Sequence, residues 1–151
     1  MDYKMLGGTC YVRMDRGDEI IATILEVCKR EGIRSATFSG IGGCGDAVIL
    51  VFNPQRGAFD VERVEGMLEL VSIMGNVISG DDGTLMPHAH AVFAYREGEQ
   101  HCIAAGHLDS STVRYTAEIE LRPVAEGFIG AVHDPETGTE FWKFDDRTQE
   151  S

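Results

Sequence analysis

Between Ile20 and Arg30 the apolar residues Ile20, Ile21, Ile24, Leu25, Val27 and Cys28 recur at spacings of three and four, the signature of an amphipathic helix with one apolar face. It is the one convincing helix in the chain. A single helix with one apolar stripe needs a broad partner, and the remaining segments supply strands. Asp18 is placed to cap the start of the helix, and Glu31-Gly32 to end it, Gly32 suiting a left-handed cap.

Strand patterns run over Leu6–Met14, Ile33–Ser39, Ala47–Phe52, Phe59–Val64, Pro87–Tyr95, His101–Leu108 and Tyr115–Arg122, punctuated by Gly-, Pro- and Asp-rich turns. Met67–Val77 fits either period, but Gly75 interrupts it and strands flank it, which favours a strand. Ser39–Gly45 holds four glycines in seven residues. No Lys-Ser/Thr and no helix follow, so the run predicts a strand-to-strand turn or bulge with close backbone approach, not a phosphate loop. Ala47–Phe52 reads as a buried strand, and the tail aromatics Phe141, Trp142 and Phe144 as docked. With no repeat or linker, the expectation is one α+β domain over residues 1–151, built on a largely antiparallel sheet.

Charge and cysteine usage narrow the function classes. Thirteen Lys and Arg against 25 Asp and Glu give a net charge of −12, which repels a phosphate backbone. Lys29, Arg30 and Arg34 gather near the helix end, but Glu26 and Glu31 lie among them. Cys10, Cys28, Cys44 and Cys102 are scattered without a CxxC pair, as expected of reduced thiols in a cytoplasmic protein. No signal peptide or membrane-length apolar run is visible.

The chemistry concentrates in Pro87-His88-Ala89-His90 and His107. Residues two apart on a strand share a face, so His88 and His90 point the same way. A hairpin turning at Glu97–Gln100 pairs Arg96 with His101, which sets His107 opposite His90 and, if pairing continues, Asp109 opposite His88. A slip of one residue would send His107 to the other face. Three imidazoles on one rigid face form the ligand set of an open divalent-metal site, zinc first, although nickel, cobalt and copper also accept imidazole. The alternative is three unrelated surface histidines, which is how His101 and His133 are read.

Gly17-Asp18-Glu19-Ile20-Ile21, Phe38-Ser39-Gly40-Ile41-Gly42, Glu69-Leu70-Val71-Ser72 with Gly75-Asn76, Pro87-His88-Ala89-His90, Gly106-His107-Leu108 and Tyr115-Thr116-Ala117-Glu118-Ile119 occur in this order. Together they closely resemble the plants-and-prokaryotes conserved (PPC) domain, over about residues 8–122, leaving 123–151 as a C-terminal extension. The resemblance implies an antiparallel sheet flanked by helices, assembled as a homotrimer. It also implies a metal on the histidines matching His88, His90 and His107, as in some prokaryotic members. Plant members join the domain to an AT-hook, whose Arg-Gly-Arg-Pro core is absent here. Ser111 stands where the family usually has glycine before Thr-Val.

Three functions follow as expectations. The first is a metal-binding homotrimer of regulatory or small-molecule-binding character. The second is a zinc-dependent hydrolase or lyase acting on a small anionic substrate, with Asp109 or Glu69 as general base and Arg13 as an anion clamp. The third is a DNA-associated protein, as the family is often labelled, which the acidic charge disfavours.

Overall fold

Backbone ladders organise nearly the whole chain. The computed structural model describes residues 1–144. In chain order the elements are β1 (Asp2–Leu6), β2 (Thr9–Asp15), α1 (Ile20–Glu31), β3 (Ala36–Asn53), β4 (Ala58–Ser79), β5 (Leu85–Glu97), β6 (Gln100–Ser110), β7 (Val113–Pro123), β8 (Ile129–Asp134) and β9 (Thr139–Phe144). The described strands all belong to one sheet, in the order β1-β2-β7-β3-β6-β5-β4-β8-β9, with a further β3–β4 pairing. Every ladder is antiparallel except the single parallel bridge from Ser79 on β4 to Gly130 on β8.

Two long strands make the sheet close on itself. The first half of β3 pairs with β7 and its second half with β6, while β4 lies along most of β3 and carries β5 on its other edge. With β5 paired to β6, the ladders run in a ring from β3 through β4, β5 and β6 back to β3. Register shifts at Gly40/Gly42 and Cys44/Asp46 on β3, and at Leu70/Ser72 on β4, are bulges, which add twist and bend a strand. Of the two alternatives expected for the glycine run, it is the bulge with close backbone approach, inside one strand, and not a turn between two. A Cβ at Gly40 would run into the Glu118 carbonyl and the Ile119 side chain, and one at Gly42 would lie 2.7 Å from the Ala117 Cβ.

The helix covers one sheet face, as its pattern requires. Ile20, Ile24, Val27 and Cys28 pack into a core shared with Val12, Met14, Ile49, Leu70, Ile73, Phe93, Ile119 and Leu121. Glu19, not Asp18, caps α1: one oxygen accepts from the Ala22 amide at 2.6 Å and the other from the Ser111 amide at 3.1 Å. Asp18 instead accepts from the Asp15 amide, 2.8 Å away. Gly32 closes the helix in the left-handed region at φ 66°. Ser111, fully buried, donates its hydroxyl to the Asp46 carbonyl at 2.7 Å, so the departure from glycine is accommodated.

Other expectations need correction. Among the described residues α1 is the only helix, so the sheet is not flanked by helices and its outer face carries none. Most of the first strand pattern, Leu6–Met14, is β2, but Leu6 ends a separate strand, β1, that pairs with β2 through a turn at Gly7 and Gly8, at φ 57° and 83°. Only Ala47 and Ile49 of Ala47–Phe52 are buried; Val51 and Phe52 are exposed because this end of the β3–β4 ribbon lacks the helix that covers the core. Phe141, Trp142 and Phe144 sit on β9 and remain about half exposed, not docked. No helix of the structure is long and apolar enough to cross a membrane.

The glycine approach is testable. Gly40→Ala should cost about 1–3 kcal/mol in urea unfolding through overpacking against β7. Gly45→Ala, whose Cβ would meet nothing nearer than 3.6 Å, should leave the midpoint nearly unchanged.

Candidate metal centre

The β5–β6 hairpin turns tightly through Gly98, at φ 62°, and pairs Glu97 with Gln100 and Arg96 with His101. That register carries through to His90 opposite His107, as the sequence arithmetic required. Ala89, Ala91, Phe93, Ala104 and Leu108 take the core side, so alternation sends His88, His90 and His107 to the outer face. The three ring centroids are 5.1–5.6 Å apart, and one ring nitrogen from each lies within 4.8 Å of the others.

The donor set fits a divalent cation. Tetrahedral bonds of about 2.0–2.1 Å place ligand nitrogens about 3.3 Å apart, within reach of these rings by modest side-chain rotation. Among the described residues none of the three imidazoles has a protein hydrogen-bond partner. His101 and His133, by contrast, meet Arg96 at 3.0 Å and Glu140 at 2.9 Å. Partial burial, then the neighbouring imidazoles, hold His88 and His107 below the ordinary histidine value. Both effects favour the neutral ring, the form that binds metal.

The carboxylates do not join the cluster. Pairing of β5 with β6 stops at His90–His107, and β6 then swings onto β3 through His107–Leu50, Leu108–Ile49 and Ser110–Val48. Asp109 falls in the bulge between those last two pairs, so it does not stand opposite His88. Its charge only partly offsets the lowering at His107. Glu69 pairs with Ala94, four residues along β5 from His90, or about 13 Å. It lines a separate hollow with Ile41, Met67, Val71 and Tyr115. Arg13 lies on β2, separated from β5 by β7, β3 and β4, and its guanidinium bonds Asp15 at 3.1 Å.

Other residues surround the histidines. Asn76 pairs with His88, and Met74 with His90, across β4–β5. Phe59 on β4 stands 6.3 Å from the His107 ring. On the opposite side a hollow is lined by His88, His90, Asn76, Glu120, Arg122 and Trp142, among others. The Gly75-Asn76 motif was visible in the sequence. Glu120, Arg122 and Trp142 were not, because only the combined register of three ladders and the β8–β9 hairpin brings them here.

Residues 1–125 match the Plants and Prokaryotes Conserved (PCC) domain. Several solved structures are similar over nearly their whole length. A plant- and prokaryote-conserved protein from Pyrococcus horikoshii is 30% identical, with a TM-score of 0.78 and 95% of each chain covered. A metal-containing protein from Archaeoglobus fulgidus is 26% identical at TM-score 0.78, covering 95% of this chain and 99% of that one. A candidate DNA-binding protein from Bacteroides thetaiotaomicron is 25% identical at TM-score 0.84, covering 95% and 96%. No curated protein matches the chain.

The imidazole environments predict a pH response in metal-free protein. Because the folded state holds His88 and His107 below the unfolded value near 6.5, the unfolded chain binds more protons as pH falls through and below that value. Stability should therefore fall with acidification in that window and be restored above it. NMR titration should place both rings below 6.5, and His90→Gln should raise both midpoints without returning them fully, since burial is the larger cause.

Proposed function

The chain belongs to the Plants and Prokaryotes Conserved domain family, and from that premise we propose that it is a metal-binding homotrimer of regulatory or small-molecule-binding character. The ion is divalent, zinc before nickel, cobalt or copper, held by His88, His90 and His107. One observation carries this reading: three imidazoles with donor atoms within 4.8 Å and no protein partner among the described residues. The metal-containing relative from Archaeoglobus fulgidus supports it. When bound, the ion supplies Lewis acidity and a coordination position for an oxygen donor. The hairpin holds the three rings on one face, and desolvation favours the neutral, metal-binding form of His88 and His107.

Trimerisation is supported by the uncovered outer face. Ile41, Met67, Val71, Met74, Ile103 and Tyr115 are each 41–71% exposed there, more apolar surface than scattered single residues account for. Four unpaired cysteines, three of them buried, support a reducing, cytoplasmic setting.

A metal-dependent hydrolase or lyase stands second. The hollow beside the histidines does contain a carboxylate, Glu120, but it accepts from Arg122 at 2.6 Å and is tied up as an ion pair. Direct DNA contact ranks lower. Arg13, Arg30, Arg56 and Arg122 are each paired with a carboxylate, on a chain of net charge −12. The net charge of −12 weighs against carrying the DNA-binding description of the Bacteroides relative over to this chain.

Protein made without a histidine tag should carry about one divalent ion per chain by elemental mass spectrometry, since one triad serves one ion. His88→Ala/His90→Ala should lose it. Sedimentation should give three times the 16.5 kDa chain mass. Absence of metal after zinc incubation, or a monomer, would overturn the corresponding half of the reading.

A further inference from the structure

Two rows of paired residues cross the outer face from the histidines to β7. One runs His88–Asn76–Thr37–Arg122 and the other His107–His90–Met74–Ser39–Glu120, each step a direct cross-strand pair. Both rows share the outer face, and from His88 and His90 onward their residues line a hollow of about 390 Å³, with His107 just beyond it. Trp142 from the β8–β9 hairpin lines it as well. The size suits a small organic molecule.

Charge decides what kind. Three neutral imidazoles leave a dication its full charge, and the Arg122–Glu120 pair cancels internally, so the loaded hollow is positive on an otherwise acidic chain. Glu120 holds Arg122 through one terminal nitrogen, Nη2, leaving the guanidinium's other donors for a second carboxylate. Arg122 and His88 are three strand spacings apart, about 14 Å between backbones. The arginine arm and the metal bonds shorten that to the reach of a short-chain acid. Asn76, Thr37 and Ser39 offer hydrogen bonds midway, and the Trp142 ring and Met74 offer apolar contact to a carbon body.

We propose that this hollow binds a short organic acid with two polar ends, an oxygen donor on the histidine-held metal and a carboxylate on Arg122. The proposal rests on the metal reading above. It makes Arg122 the specificity-determining residue, Glu120 the residue that positions it, and Trp142 a wall of the site.

The test uses the zinc-loaded full chain, with succinate and malate as probes and succinamide as the neutral control. Trp142 is the only tryptophan, so its fluorescence reports the hollow directly. Succinate or malate should change the emission saturably, succinamide should not, and zinc content after gel filtration should be unchanged. Arg122→Gln should weaken binding about ten-fold or more, the loss expected for a charge-assisted contact, while keeping its zinc. Arg122→Lys should recover part of the affinity. If zinc stays bound but neither acid changes the emission, or Arg122→Gln binds as well as the parent, the acid site is overturned and the metal reading stands. If zinc itself fails to bind, both fall.

Discussion

The centre depends on one hydrogen-bonded register. The turn at Gly98 fixes Arg96 opposite His101, and every following pair to His90–His107 is then determined. Because side chains alternate strictly along a strand, a one-residue slip would bury His107 and expose Ala104 and Leu108. The buried alanines Ala89, Ala91 and Ala104, with Phe93 and Leu108 between them, make that slip costly. The core thus enforces the arrangement of the outer histidines. A site built on paired strands inside a closed ring of ladders is also held more rigidly than one built on loops.

The ring itself depends on irregularity. Continuous regular strands the length of β3 and β4, 18 and 22 residues, could not each serve two sets of neighbours without bending. Bulges and side-chain-free approach at Gly40 and Gly42 let β7 come against β3, which brings Glu120 and Arg122 within the same face as the histidines. The helix on the other face completes the core and leaves this one open. That open face divides into an apolar region around Ile41, Val71 and Tyr115 and a polar one around the histidines and Arg122.

Local pattern made much of this legible. The helix, its Gly32 cap, the β5–β6 hairpin and the pairing of His90 with His107 followed from periodicity and loop length. What was not legible depended on non-local geometry. Asp109 moved off His88 because β6 leaves β5 for β3 through a bulge, which no period announces. For Ser39–Gly45 turn and bulge stayed open because glycines signal both turns and close approach, and only the neighbouring strand decides between them. Glu19 displaced Asp18 as the cap because its second oxygen also reaches the Ser111 amide, 92 residues away in sequence. Arg122, Glu120 and Trp142 carry no motif and reach the hollow only through several ladders at once.

Whether the three histidines hold a metal is read most directly from an anomalous-scattering map at the zinc edge, from crystals of zinc-loaded protein. One strong peak per chain is expected, within bonding distance of a nitrogen from each of His88, His90 and His107, on the side facing Arg122. A peak ligated elsewhere, or no peak in zinc-loaded crystals, would contradict the three-histidine centre.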